Sequence, residues 1–176
     1  MTFGFAHKRG FLLTQMNEKQ TILLVDDSDD DLSLMKHACR AAHFNASLQT
    51  VNNGEEAIAY LKGEGVFTNR EKYPLPTLML LDLNMPKVNG FGVLTWVRTQ
   101  PGLKRLSVIV LTASSRKEDV ERAFDLGASS YLVKPAAMAG LIAMICCLRD
   151  WLEYNHFPQL NDSTRREVPP MTGRIL

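Results

Sequence analysis

Four short apolar stretches of this chain each end in groups that can handle a phosphoryl group. Leu78-Met79-Leu80-Leu81 delivers a single carboxylate, Asp82, and the chain reaches Pro86 after Leu83-Asn84-Met85. Thr21-Ile22-Leu23-Leu24-Val25 ends in Asp26-Asp27, Leu106 to Leu111 ends in Thr112-Ala113, and Ser130 to Val133 ends in Lys134-Pro135. Crowded carboxylates such as Asp26, Asp27 and Asp82 raise one another's pKa unless a cation shares their site. Magnesium suits that place, because it prefers oxygen and keeps several waters. One or two carboxylates, a backbone carbonyl near Asn84 and a phosphoryl oxygen complete its octahedron. Asp82 then stays ionised and can accept a phosphoryl group as an acyl phosphate, provided that charge on the equatorial oxygens is neutralised in transit. Magnesium on one side and Lys134 on the other supply that neutralisation, while Thr112 and the small Ala113 offer a hydroxyl and an amide. Each residue alone has a plainer role, as turn acid, β-former or solvated strand end. The joint reading prevails because all the strand ends offer residue types that one phosphoryl site needs.

The elements that must position these groups alternate along the chain. Ser28 caps a first helix, with Asp31 three residues on, and Leu32, Met35, Cys39 and Ala42 recur at helical spacing. Leu48 to Val51 is a second strand, and Asn53-Gly54 opens a second helix whose inner face is Ala57, Ile58 and Leu61. Lys62 to Pro76 is too irregular for an element and reads as an extended loop. Asn89-Gly90 starts a third helix; Arg116 to Leu126 is a charged fourth, closed by Gly127; Ala136 to Glu153 is the last. The β/α alternation predicts an α/β fold, a five-stranded doubly wound parallel sheet in the flavodoxin-like order 2-1-3-4-5 with five helices. In that order the ends of the first and third strands meet at the switch point, beside those of the fourth and fifth. The expected organisation is a flexible tail over 1–20, one domain over 21–154 and a disordered tail over 155–176.

On V-D-D at 25–27, L-L-D-L-N-M-P at 80–86, T-A at 112–113 and K-P at 134–135, the chain resembles the receiver domain of bacterial two-component response regulators over roughly residues 20–153. The resemblance implies that Asp82 takes a phosphoryl group from a phosphohistidine on a sensor kinase or a histidine phosphotransfer protein. It implies that Asp26 and Asp27 hold magnesium, that Thr112 and Tyr131 form a switch pair, and that the Lys134-Pro135 bond is cis. The long loop and the lack of a second domain resemble the small single-domain regulators that work with phytochrome-type kinases.

Charge is balanced, with 20 Lys and Arg against 19 Asp and Glu, so no overall field draws the chain to nucleic acid or anionic membrane. Cys39, Cys146 and Cys147 have no disulfide or metal-ligand spacing, and no apolar run nears the ~20 residues of a spanning helix. A cytoplasmic protein without DNA or membrane partners is expected. An aspartyl phosphohydrolase would need a second acid two residues after its nucleophile, where Asn84 stands and cannot protonate a leaving group. A receiver-like module that is never phosphorylated typically lacks part of the acidic set, which is complete here. The segment from Ala136 to Leu148 is almost wholly apolar, so a second buried surface is expected, with Ile142 and Ile145 on it. That surface would join the face of the fourth helix and fifth strand in a symmetric homodimer tuned by phosphorylation.

Overall fold

Register decides where the strand ends fall, and here it brings them to one edge of a parallel sheet. The computed structural model describes residues 20–158 and residue 160. Within them the strands are β1 (Thr21–Val25), β2 (Ser47–Val51), β3 (Leu78–Leu81), β4 (Ser107–Thr112) and β5 (Ser130–Val133), ordered β2-β1-β3-β4-β5. The helices are α1 (Asp29–Ala41), α2 (Gly54–Lys62), α3 (Gly90–Thr99), α4 (Lys117–Asp125) and α5 (Met138–Tyr154). Val25 pairs with both Val51 and Leu81, Leu81 with Val110, and Thr112 with Val133. Asp26, Asp82 and Lys134, each one residue beyond its strand, are therefore level with the end of β4.

The central strands β1 and β3 are buried throughout, as their continuous apolar runs require, whereas the edge strands β2 and β5 are half-exposed. Alternation sorts their side chains. Ile22, Leu24, Leu78, Leu80, Ile109 and Leu111 pack under α1 and α5; Leu23, Val25, Met79, Leu81 and Val108 pack under α2 and α3. A third cluster, Leu83, Phe91, Val110 and Ala123, fills the space below α4. The helix starts are set by side-chain caps: Ser28 Oγ accepts from Asp31 N at 3.1 Å, Asn53 Oδ1 from Glu56 N at 2.9 Å, and Asn89 Oδ1 from Gly92 N at 3.0 Å.

Three expectations need correction. The segment from Lys62 to Pro76 contains a short 3-10 helix, Gly65–Phe67, and is organised rather than merely extended. Phe67 and Tyr73 stack edge to face 5.1 Å apart beside Tyr60, and Arg70 donates to the carbonyls of Tyr60 (2.7 Å) and Leu61 (2.8 Å) at the end of α2. Guanidinium donors thus satisfy carbonyls that a helix end leaves open. The second correction concerns α5, which buries a single stripe of Leu141, Ile145, Leu148 and Leu152. Ile145 is fully buried in the cluster beneath α1 and α5 and is no surface residue. Ile142 lies on the stripe of Arg149, which donates to the Ala42 carbonyl at the end of α1 at 2.7 Å, so that stripe turns toward α1. Third, the expected C-terminal tail begins too early. Phe157 packs at 5.6 Å against Trp151 of α5. Residues 159 and 161–176 of that tail, and residues 1–19 of the N-terminal one, lie outside the described residues.

Candidate phosphoryl-transfer site

Asp26, Asp82 and Lys134 each fall two residues after a side chain on the α1–α5 face, Leu24, Leu80 and Leu132. They therefore converge on that side of the strand ends. The backbone fixes their height: Asp26 N donates to Val51 O at 3.2 Å, Asp82 N to Val25 O at 2.9 Å, and Lys134 N to Thr112 O at 2.8 Å. Lys134 Nζ lies 2.6 Å from Asp26 Oδ2, 2.7 Å from Asp31 Oδ2 and 3.4 Å from Asp82 Oδ1. Asp26 and Asp82 are only 6% and 5% exposed. Asp26 Oδ1 accepts from Ser28 N at 3.1 Å, and Asp82 Oδ2 from Asn84 N at 2.6 Å. Gly90 lets the β3–α3 loop close on Asp82: a Cβ there would meet the Asp82 carbonyl and come within 2.8 Å of Leu83 Cα.

Below the carboxylates a cavity of about 10 Å³, room for one water, is floored by Leu24, Leu32, Met35, Leu80 and Leu111. Burial over this apolar floor pushes the Asp26 carboxyl above its ordinary pKa; the Lys134 and Ser28 hydrogen bonds pull it back only partly, and Asp82 adds repulsion. Burial also works against the Lys134 ammonium. Hydrogen bonds to Asp26 and Asp31, together with the charge of Asp82, outweigh it and hold Lys134 above the ordinary lysine pKa. Lys134 is thus the shared cation of the site.

Asp27 is exposed, and among the described residues no three His, Cys, Asp or Glu side chains are gathered closely enough to hold a metal. The pair Asp26 and Asp82 still suits magnesium, which needs only one or two carboxylates and brings its own waters. Asn84 is exposed at the rim and contributes its amide to Asp82.

Thr112 and Tyr131 occupy the other side of the sheet, where Tyr131 packs against the cluster of Val110 and Ala123. Thr112 is fully buried, and Tyr131 Oη donates to the Ser114 carbonyl at 3.0 Å. Ser114 Oγ in turn donates to Asp119 Oδ2 at 2.6 Å, and Arg116 bonds the same carboxylate at 3.2 and 3.1 Å. Those bonds hold the Asp119 carboxyl below its ordinary pKa. This latch on the β4–α4 loop, and Asp31 at the lysine, were not foreseen. Asp31 is signalled only by its place in the Asp29-Asp30-Asp31 run, which also reads as a helix start. No described peptide bond is cis, so Lys134-Pro135 is trans, against expectation. Trans is the lower-energy isomer of an X-Pro bond by about 0.5–1 kcal/mol, and the expected exception came from resemblance alone.

A family model described as response regulator receiver domain matches residues 22–146. The chain belongs to that family. Response regulator Rcp1 of Synechocystis sp. is 35% identical over 140 residues, covering 79% of this chain and 93% of that protein. Among solved structures, the phosphorylated cyanobacterial phytochrome response regulator RcpA is 34% identical with a TM-score of 0.74, over 81% of this chain and all of that one. The Mn(2+)-bound form of response regulator Rcp1 is 35% identical with a TM-score of 0.71, over 80% of this chain and 99% of that one. No described helix is long and apolar enough to cross a membrane.

Proposed function

We propose that this receiver domain accepts a phosphoryl group on Asp82 and passes the change to the face formed by α4, β5 and α5. The observation that carries the reading is Asp82 itself, buried at the end of the central strand with Oδ1 facing the Lys134 ammonium at 3.4 Å. In the transfer an Asp82 oxygen forms a bond to phosphorus as the bond from phosphorus to the donor breaks. The donor, an imidazole nitrogen of a kinase or phosphotransfer histidine, takes the electron pair of the broken bond and leaves as neutral imidazole, the proton staying on its other ring nitrogen. Lys134 neutralises one phosphoryl oxygen, and the Thr112 hydroxyl would meet another once it leaves its buried position. Asp26 and Asp82 would hold magnesium, joined by Asp27 once it turns inward, and the ion when bound neutralises the remaining phosphoryl charge. That Rcp1 was solved in an Mn(2+)-bound form supports a divalent ion as the cofactor.

For output, movement of Thr112 loosens the β4–α4 loop on which Tyr131 and the Ser114–Asp119–Arg116 latch depend. The face they border carries exposed Phe124 and Val133, 50% and 45% accessible. It is the surface for a protein partner or a second copy of the chain. Similarity to phytochrome response regulators favours a phytochrome-type histidine kinase as the donor. The test is labelling by acetyl phosphate with magnesium: the unaltered protein should be labelled and Asp82→Asn should not. Undiminished labelling of Asp82→Asn would overturn the assignment.

A further inference from the structure

An ammonium has three N–H donors, and Lys134 spends them unevenly. Its short bonds go to Asp26 at 2.6 Å and Asp31 at 2.7 Å; Asp82 is more distant at 3.4 Å. Asp31 lies on α1 rather than at a strand end, and its role in the fold is met by its backbone N–H, which donates to the Ser28 cap. The carboxylate is left to the lysine. Asp26, in contrast, has two calls on Oδ2: it holds Lys134 now and would turn to a divalent cation when one binds. At that moment the ammonium would face the dication without its principal counter-charge, unless another acceptor stood ready.

Resting on the phosphoacceptor reading above, we propose that Asp31 is a positioning residue that takes the Lys134 ammonium over from Asp26 when Asp26 turns to magnesium. The exchange needs little motion, because the Asp31 bond is already formed and only the Asp26 bond is released. It keeps the ammonium beside Asp82, where the phosphoryl group arrives. Without Asp31, magnesium must break the Lys134–Asp26 bond with only the more distant Asp82 left to face the ammonium, and part of its binding free energy is lost. Asp31 is 39% exposed at its side chain, so its effect belongs with partly solvated ion pairs.

The experiment is calorimetric titration of magnesium into four full-length proteins: unaltered, Asp31→Asn, Lys134→Ala and the double variant. Asp31→Asn should weaken magnesium about three- to fivefold. In the Lys134→Ala background the same substitution should have almost no effect, because there is no ammonium to take over. Weakening by the same factor in both backgrounds would reduce Asp31 to a remote negative charge and overturn its role, as would unchanged affinity in the first. Failure of the unaltered protein to bind magnesium would instead overturn the functional reading and this inference with it. The Asn variant retains the N–H that bonds Ser28, so loss of the helix start does not confuse the result.

Discussion

Replacing Lys134 by alanine removes the cation shared by Asp26, Asp31 and Asp82. Breaking a buried ion pair from one side costs about 3–5 kcal/mol, since a charge is left without compensation. Lys134, Asp26 and Asp82 have side chains 17%, 9% and 7% exposed, which places them in that regime; Asp31, at 39%, can turn to water. The expected loss at neutral pH is therefore about 2–3 kcal/mol, below the full penalty. At about 4 °C per kcal/mol this lowers the melting temperature by roughly 8–12 °C. Magnesium should reverse much of it, because the ammonium no longer competes for Asp26. At a hundredfold excess over Kd the ion contributes about 2.7 kcal/mol. The assay is urea unfolding with and without magnesium chloride. A variant within about 0.5 kcal/mol of the unaltered protein would refute the shared-cation argument. So would a variant that gained less from magnesium than the unaltered protein does. The variant should bind magnesium yet fail to switch, as seen in unchanged exchange protection of the β4–α4 loop after phosphorylation.

Asp26→Asn should stabilise the fold by about 1 kcal/mol at pH 7, because it removes a buried charge incompletely paired. Since the folded-state pKa of Asp26 is raised, unaltered protein gains stability as pH falls through that value toward the ordinary 3.8, and the gap between the two proteins should close there in pH-dependent urea titrations. Arg98→Ala removes donors to Gly127 O at 3.0 and 2.6 Å and to Leu106 O at 3.0 Å, and should cost about 2–3 kcal/mol in the same assay without altering magnesium affinity. Gly90→Ala drives a methyl into the Asp82 carbonyl, rigid backbone that cannot step aside, so it should destabilise by about 1–3 kcal/mol and slow labelling by acetyl phosphate. If the α4–β5–α5 face joins two copies, Phe124→Glu together with Val133→Lys should leave a folded monomer by sedimentation; a monomeric unaltered protein, with and without a phosphoryl mimic, would exclude that dimer.

The strands at the centre of the sheet were legible because burial on both faces demands unbroken apolar runs, as in Leu78–Leu81. The capping residues Ser28, Asn53 and Asn89 were legible because their chemistry is local. Once the strand order was in hand, Asp26, Asp82 and Lys134 followed as residues one step past strands of known register. What escaped reading depends on contacts between distant segments. Asp31 meets Lys134 across 103 residues, and Arg98 reaches Gly127 across 29. The β4–α4 latch has short spacing but no repeating pattern to betray it. In α5 the apolar composition on several sides concealed which stripe faced α1, and Ile145 was misplaced for that reason. The loop before β3 is ordered by three aromatic rings and an arginine, an arrangement with no periodicity.

The central claim is that the phosphoryl group is carried by Asp82 and by no other carboxylate of the cluster. Borohydride reduces an aspartyl phosphate to homoserine, so treating the protein with acetyl phosphate and magnesium, reducing it and mapping peptides by mass identifies the residue directly. Homoserine is expected at position 82 alone, and only when magnesium is present. Homoserine at position 26, 27 or 31, or none anywhere in protein shown by calorimetry to bind magnesium, would contradict the claim.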